Sequence, residues 1–425
     1  MHIHPFAALR PAPELAARTA ALPYDVVDLD EARRAVEAEP LSFLGVDVPG
    51  LWVADGVDPD GEAACALAAG RLAGQVEEGV YRRDDEPTFY VYREQDGGRS
   101  QTGLVACMAV DDFVAGAVRR HENTRREKEL GRVRHIRALS AQTGPVFLAY
   151  RADAQGADRV AAAVEAVCAG EPLYDFVDAQ GVRNTVWRVD DRRLRGELAD
   201  AASEIPGAYI ADGHHRAASA VRVAMERRES SGAMAGRDAP AGSEAASDTV
   251  MAVLFPADQL ELLAYNRVVA DRAGLGAEGL VSAVADAGFE VAPVDTADAA
   301  PTEPGTFGMY CGGSWYRLTP SAGLSAETAA ADAADALDVA VLQDRVLGPV
   351  LGVADPRQDP RLDFVGGNRG TAELERLAGE GGVAFACHPT SMDELMAVAD
   401  EGRLMPPKST WFEPKLRSGL FFHQI

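Results

Sequence analysis

One octapeptide constrains this chain more than any other stretch: Tyr209-Ile210-Ala211-Asp212-Gly213-His214-His215-Arg216. An apolar run ends in an acid and a glycine. Two histidines and an arginine follow, and an alanine-rich helical pattern continues from Ala217 to Arg228. The pattern predicts a strand that turns sharply into a helix. Such a turn leaves backbone N–H groups at the helix start without partners, and these attract anions. Gly213 allows the turn and a close approach of backbone to ligand. Arg216 offers a guanidinium fork to phosphate oxygens. Asp212, His214 and His215 add proton-transfer groups beside that anion cradle, which makes them the first catalytic candidates. Adjacent histidines diverge on a helix, so one of the two is expected to face a ligand. They lack the i,i+4 spacing of a two-histidine metal site.

A chain of 425 residues exceeds one ordinary core, so two or three domains are expected. The net charge of −25 opposes non-specific binding to nucleic acid or anionic membrane. No apolar run reaches membrane-spanning length. Met1-His2-Ile3-His4-Pro5-Phe6 has no basic region followed by an apolar core, and a cytoplasmic location is expected. Cys65, Cys107, Cys168, Cys311 and Cys387 are far apart, which fits buried reduced thiols better than disulfides or a zinc ribbon. Walker, nucleophile-elbow and zincin motifs are all absent, so P-loop ATPases, α/β-hydrolases and zincins are disfavoured.

Periodicity predicts helices over 29–37, 62–75, 118–139, 157–168, 192–202, 327–347, 371–377 and 392–400. Strands are expected at 89–93 and 103–110, paired around Asp96-Gly97-Gly98, and at 146–150, 185–189 and 383–387. The runs 249–255 and 260–269 read as adjacent strands, and 274–318 as a helix, a strand and a hairpin. Interleaved strands, hairpins and helices indicate an α+β fold with mixed sheets. The expected organisation is an N-terminal α+β region over 1–115, a central catalytic core over 116–270, and a C-terminal α+β region over 271–425. Residues 229–248, rich in Gly, Ser and Ala, read as a flexible insertion in the core.

Two further constellations carry chemistry. Arg119 to Lys128 is a positive island in an acidic chain. On a helix, His121, Arg125 and Lys128 would share a face, with Arg132 and His135 further along it. Arg125 and Arg126 are phosphate-binding types, and Glu122 could take a proton from a hydroxyl. The competing reading is a solvated helix laced by Glu–Arg pairs. Met405 to Lys415 holds Pro406, Pro407 and Pro414, which exclude a helix and stiffen the backbone. Its Lys408, Ser409, Thr410 and Lys415 suit phosphate, and a stiff loop loses little entropy on binding. Arg10 and Asp25 read either as turn residues or as further members of a site.

These motifs resemble a known family. Ala8-Leu9-Arg10-Pro11, Pro23-Tyr24-Asp25-Val26-Val27, His121-Glu122-Asn123-Thr124, Pro145-Val146-Phe147-Leu148, Ala211–Arg216, His388-Pro389-Thr390 and Met405–Thr410 through Leu420 resemble the bacterial and archaeal domain of unknown function ten-fifteen, nearly end to end. Asp212–Arg216 also resembles the signature of the ParB/sulfiredoxin superfamily, which includes kinases acting on free serine. That resemblance implies a ParB/sulfiredoxin-like strand-turn-helix core. It implies that Gly213, His214, His215 and Arg216 cradle nucleotide phosphates, with Asp212 as base or magnesium ligand. Glu122 and Asn123 with Arg126 are similar to a second phosphate-contacting motif of the partition proteins, although here that piece precedes the glycine-histidine signature. Gly45 stands where relatives often carry a histidine.

The combined expectation is a nucleotide-dependent small-molecule kinase using ATP or ADP and Mg²⁺, with a small hydroxyl-bearing metabolite as second partner. Free L-serine is the acceptor that the resemblance implies. The alternative is a nucleotide-binding regulatory or DNA-associated ParB-like protein without kinase activity. A third reading is a hydrolase or metal enzyme using His121, His214, His215 and His388. The acceptor, the oligomeric state and the ligand-facing histidine stay open.

Overall fold

Alternating and fully apolar runs in the first 260 residues build one mixed sheet. The computed structural model describes residues 1–230 and 248–425. The chain divides into two compact units, Met1–Leu260 with Pro414–Ile425, and Glu261–Glu413.

The sheet of the first unit contains β1 (Ile3–His4), β2 (Tyr90–Asp96), β3 (Arg99–Ala109), β4 (Val118–Arg119), β5 (Val146–Tyr150), β6 (Tyr174–Val177), β7 (Arg183–Arg188), β8 (Ala208–Asp212) and β9 (Thr249–Pro256). Their spatial order is β4-β8-β5-β9-β3-β2-β7-β6, with β1 paired to β3. The pairs β4–β8 and β5–β9 are parallel and the others antiparallel. Strands from both sides of residue 116 therefore share this sheet. The β2–β3 hairpin closes where Asp96-Gly97-Gly98 predicts it, with Gly97 at φ 57°.

Four helices cover the sheet: α1 (Arg126–Leu139), α2 (Ala157–Cys168), α3 (Arg192–Glu204) and α4 (His214–Ser230). The core joins Val91, Leu104, Met108, Val146 and Leu148 of the strands to Val133, Ile136, Val160, Leu198, Ala217 and Val223 of the helices. Each buried Val or Leu contributes roughly 1.5–3 kcal/mol against exposure. Ala217, Ala220 and Ala224 let α4 approach the sheet closely.

The expected helix over 118–139 is half right. Val118–Arg119 pairs in parallel with Ala208–Tyr209, and the helix starts at Arg126. His121 thus lies ahead of the helix rather than on a face with Arg125 and Lys128. The run 249–255 and the run 260–269 are also not paired. β9 pairs β3 and β5, whereas Tyr265–Val269 belongs to a different sheet. The expected insertion at 229–248 falls mainly on 231–247, outside the described residues. Glu229 and Ser230 still belong to α4, and Asp248 pairs with Arg228 at 3.0 Å.

The second unit has its own antiparallel sheet of β10 (Tyr265–Val269), β11 (Phe289–Val294), β12 (Phe307–Cys311), β13 (Ser314–Pro320), β14 (Leu362–Gly366) and β15 (Val383–Cys387), in the order β11-β13-β12-β15-β10-β14. Its core includes Leu280, Val284, Phe307, Met309, Leu342 and Phe385. A capping box between Ser391 and Glu394 starts the helix Met392–Asp400. The helix expected over 327–347 is interrupted. Ala322–Ala329 and Asp338–Leu342 are helical, and a π turn continues over Gln343–Leu347. Asp338 is held at the break because its carboxylate accepts the Gly305 N–H at 2.9 Å. Among the described residues no helix is long and apolar enough to cross a membrane.

Candidate functional site

Asp212 ends β8, one residue past a register shift against β5 between Ile210 and Asp212. A bulge of this kind re-aims the side chains that follow it. Gly213 takes φ 91°, and its carbonyl accepts the Ala217 N–H at 2.9 Å as the first helical bond of α4. Asp212 Oδ1 accepts the Gly213 N–H at 2.8 Å and fixes the corner. A Cβ at Gly213 would lie 2.9 Å from Arg216 Cζ, so the guanidinium folds into space that only glycine leaves open. Gly144 gives way on the other side, where a Cβ would stand 3.3 Å from Arg216 Cδ. Arg216 Nη1 donates to the Pro145 carbonyl at 2.5 Å.

Charge converges on Asp212. Lys415 Nζ stands 3.5 Å and Arg216 Nη2 3.6 Å from Asp212 Oδ2. Burial alone would push this carboxyl up. The Lys415 ammonium, the Arg216 guanidinium and the Gly213 amide outweigh it and hold Asp212 well below the usual carboxylate range. Asp25 Oδ2 is 4.0 Å from Arg216 Nη2, so the Pro23–Val27 motif does reach this cluster. Arg10 does not join it. Its guanidinium binds Asp84 at 2.9 Å and Tyr174 at 3.3 Å.

The two histidines diverge. His214 meets His121 edge to face, with ring centroids 4.5 Å apart. Burial pushes His121 down to about 4, against the opposing pull of Asp212. Burial, with His121 next to it, also holds His214 well below the ordinary imidazole range. Both rings are therefore neutral near pH 7. His215 lies on the more open side. Burial and then the Lys128 ammonium depress its pKa, while Asp25 opposes them.

The polar atoms here are not all satisfied. Arg216 Nε, His214 Nε2 and His215 Nδ1 are buried without a hydrogen-bond partner. Arg216 is 7% and His214 8% exposed, whereas the Asp212 side chain is 27% exposed and opens the cluster to solvent. Behind Arg216 a cavity of about 10 Å³ is lined by Arg132, Thr143 and Gly144. That is room for about one water, so a larger ligand would have to enter from the Asp212 side. A cleft of about 560 Å³ lies elsewhere in the first unit, beside Pro5, Pro87 and Arg195. The guanidinium of Arg195 is turned to the Pro87 carbonyl at 2.8 Å, and none of the Asp212 cluster lines that cleft.

A buried ion pair supports the cluster, and sequence reasoning did not single it out. Arg132 Nη2 donates to Asp47 Oδ1 at 2.7 Å and to Thr143 Oγ1 at 3.3 Å, and its guanidinium lies 4.1 Å over the Tyr24 ring. Tyr24 adjoins Asp25 in a motif the sequence does flag. Asp47 carries no local signal, because its partner lies 85 residues away. Gly45 lies beside Arg71, which stacks 3.9 Å over Trp52; a Cβ at Gly45 would stand 3.3 Å from Arg71 Nη2.

The other candidates are placed as follows. Glu122, Asn123, Arg125 and Arg126 are exposed on the loop after β4 and at the start of α1. The Met405–Lys415 stretch divides between the units, with Lys415 in the first and Lys408, Ser409 and Thr410 in the second. Lys408 Nζ lies 5.5 Å over the Tyr265 ring, and its carbonyl accepts Arg267 Nη2 at 3.0 Å. The Ser409 hydroxyl donates to the Pro406 carbonyl at 2.6 Å, and the Ser409 carbonyl accepts the Thr390 hydroxyl at 3.0 Å. His388 follows β15 in the second unit. No group of three His, Cys, Asp or Glu side chains among the described residues is arranged to hold a metal ion.

Several solved structures share a low overall likeness. A variant of free serine kinase in complex with ADP matches with a TM-score of 0.33 and 13% identity, over 75% of this chain and 92% of that one. A conserved hypothetical protein from Pyrococcus furiosus gives 0.33 and 12%, over 75% and 94%. SbnI with a C-terminal truncation, from Staphylococcus aureus, gives 0.36 and 12%, over 73% and 84%. No curated protein matches the chain. The family model described as "Protein of unknown function (DUF1015)" matches residues 3–340, and the chain belongs to that family.

Proposed function

We propose that this protein is a nucleotide-dependent kinase that transfers a phosphoryl group from ATP or ADP to the hydroxyl of a small metabolite. One observation carries the reading. Arg216 Nε, His214 Nε2 and His215 Nδ1 are buried and without partners at the head of a helix, beside a carboxylate held between two cations. A buried polar group left unpaired costs about 1–3 kcal/mol, and three together at a helix N-terminus suit a ligand rich in acceptor oxygens.

In this reading Gly213, Arg216 and Lys415 hold the phosphates, and Arg125 and Arg126 reach them from the edge of α1 with Asn123. Magnesium carried in by the phosphates needs only one protein carboxylate, and Asp212 is the one offered. When bound it would neutralise developing charge on the phosphoryl oxygens. Glu122, next to His121, accepts the proton of the acceptor hydroxyl. The acceptor oxygen bonds to phosphorus as the bond to the nucleotide's bridging oxygen breaks. His215 orients the phosphates from the open side, and the neutral His214–His121 pair excludes water beneath them. Free L-serine is the acceptor implied by the sequence resemblance.

The test is an acceptor screen. Protein with ATP or ADP, Mg²⁺ and a panel of amino acids and polyols should consume nucleotide only with the right hydroxyl. Asp212→Asn and His215→Ala should fold and lose turnover by about 10²-fold or more, as for loss of a positioned proton-transfer or charge-stabilising group. Wild-type turnover in both variants would overturn the assignment.

A further inference from the structure

Lys415 is held from an unexpected direction. Its carbonyl accepts Arg417 Nη1 at 2.8 Å, and the preceding carbonyl, that of Pro414, accepts Gln101 Nε2 at 3.4 Å. Both donors belong to one buried network under β2, β3 and β7. Arg417 Nε donates to Asp178 Oδ2 at 2.6 Å, and Asn184 Nδ2 donates to the same oxygen at 2.8 Å. The Tyr92 hydroxyl donates to Asn184 Oδ1 at 2.5 Å and lies 3.1 Å from Glu94 Oε1. Gln101 Nε2 donates to Glu94 Oε2 at 2.8 Å and so closes the chain of bonds. Arg417 is 2%, Glu94 0% and Asn184 0% exposed.

A lysine stem has four rotatable bonds, and burying such a side chain in one geometry costs rotamer freedom. Fixing the two carbonyls that flank Lys415 removes the backbone part of that freedom in advance. We infer that Arg417, anchored by Asp178 and the Glu94–Gln101–Tyr92–Asn184 network, is a positioning residue that presents the Lys415 ammonium to Asp212 and to the phosphates bound there. The inference deepens the proposed function and rests on it for the phosphate. The presentation of Lys415 itself can be tested without it.

The experiment compares wild type with Arg417→Met, Arg417→Lys and Asp178→Asn. Folding is checked by thermal unfolding, Lys415 accessibility by its rate of acetylation with acetic anhydride in peptide mass spectrometry, and binding by calorimetry with ADP. Folded Arg417→Met should acetylate Lys415 faster and bind ADP more weakly, each by about tenfold, in the range for residues of one hydrogen-bond network. Arg417→Lys should recover only part, since it keeps the charge but lacks the fork. Adding Lys415→Met to Arg417→Met should weaken ADP binding no further than Lys415→Met alone, a non-additivity that a general loss of stability does not produce. If Arg417→Met does not fold, Asp178→Asn carries the same labelling comparison. Wild-type acetylation of Lys415 in a folded variant overturns the inference. Failure of the wild type itself to bind ADP overturns the proposed function and leaves the labelling result to decide the positioning role.

Discussion

Lys415 Nζ and Asp212 Oδ2 are 3.5 Å apart, and Arg216 Nη2 approaches the same oxygen at 3.6 Å. One carboxylate oxygen therefore faces two cations. Removing the anion and removing a cation should have opposite consequences for a phosphate ligand. Lys415→Met is expected to weaken ADP binding about tenfold or more, since a hydrogen bond to a charged group contributes about 1.5–3 kcal/mol. Asp212→Asn removes a negative charge beside the phosphates and should leave affinity for metal-free ADP unchanged or improved while turnover with Mg²⁺ falls. Calorimetric titration of both variants is the check, and equal weakening by the two would show that the pair does not face a phosphate.

Gly213 is the position where backbone and side chain requirements coincide. Its φ of 91° disfavours any L side chain, and a Cβ would press on the Arg216 guanidinium at 2.9 Å. Gly213→Ala should lower stability by about 1–3 kcal/mol, the usual cost of such a conformation. Urea unfolding at unchanged m value reads this directly. A loss of only a few tenths of a kcal/mol would mean that the turn relaxes freely.

Acid sensitivity follows from the buried imidazoles. Burial holds His121 at about 4 and His135 at about 3, and it keeps His214 well below its ordinary value. The unfolded chain protonates these rings near pH 6.5 while the folded chain does not. The unfolded state therefore binds more protons as pH falls from about 6.5 to about 4, and stability drops there by up to about 1.4 kcal/mol per pH unit for each ring. His121→Gln should flatten the stability profile over that window by about one proton and leave the profile above pH 7 parallel to wild type. Parallel profiles below pH 6 would show that His121 titrates normally.

The legible parts of this molecule are those whose cause is local. β8, Gly213 and α4 follow from eight consecutive residues, and the β2–β3 hairpin from its Asp-Gly-Gly turn. The misread parts depend on distant partners. Val118–Arg119 is extended because β8, ninety residues later, pairs with it. The strands of β9 and β10 look adjacent in sequence, but their pairing partners lie at 99–109 and 146–150 for one and at 362–366 and 383–387 for the other. In the candidate site, Asp212, His214, Arg216 and Lys415 were readable as residue types suited to anions. The Asp47–Arg132 and Arg417–Asp178 pairings were not, because each takes its meaning from a contact that bridges tens to hundreds of residues.

Glu94 gives the opposite pH signature to the histidines. Burial pushes its carboxyl up to about 8, although Arg417, Gln101 and Tyr92 all pull it down. In the unfolded chain the same group titrates near pH 4.5. The folded state thus keeps a proton that the unfolded state releases. Its contribution to stability is fully present below about pH 4.5 and is lost progressively up to about pH 8, by at most about 1.4 kcal/mol per pH unit. Glu94→Gln is neutral at every pH and lacks this loss. The exchange also turns an acceptor oxygen into an amide donor facing Gln101, a cost that does not depend on pH. Only the change in the difference with pH is informative. The stability of Glu94→Gln relative to wild type should rise by more than about 1 kcal/mol between pH 5 and pH 8.5 in urea titrations. A difference that stays constant across that range would mean that Glu94 is ionised in the fold, and that Arg417 is neutralised by two carboxylates rather than by Asp178 alone.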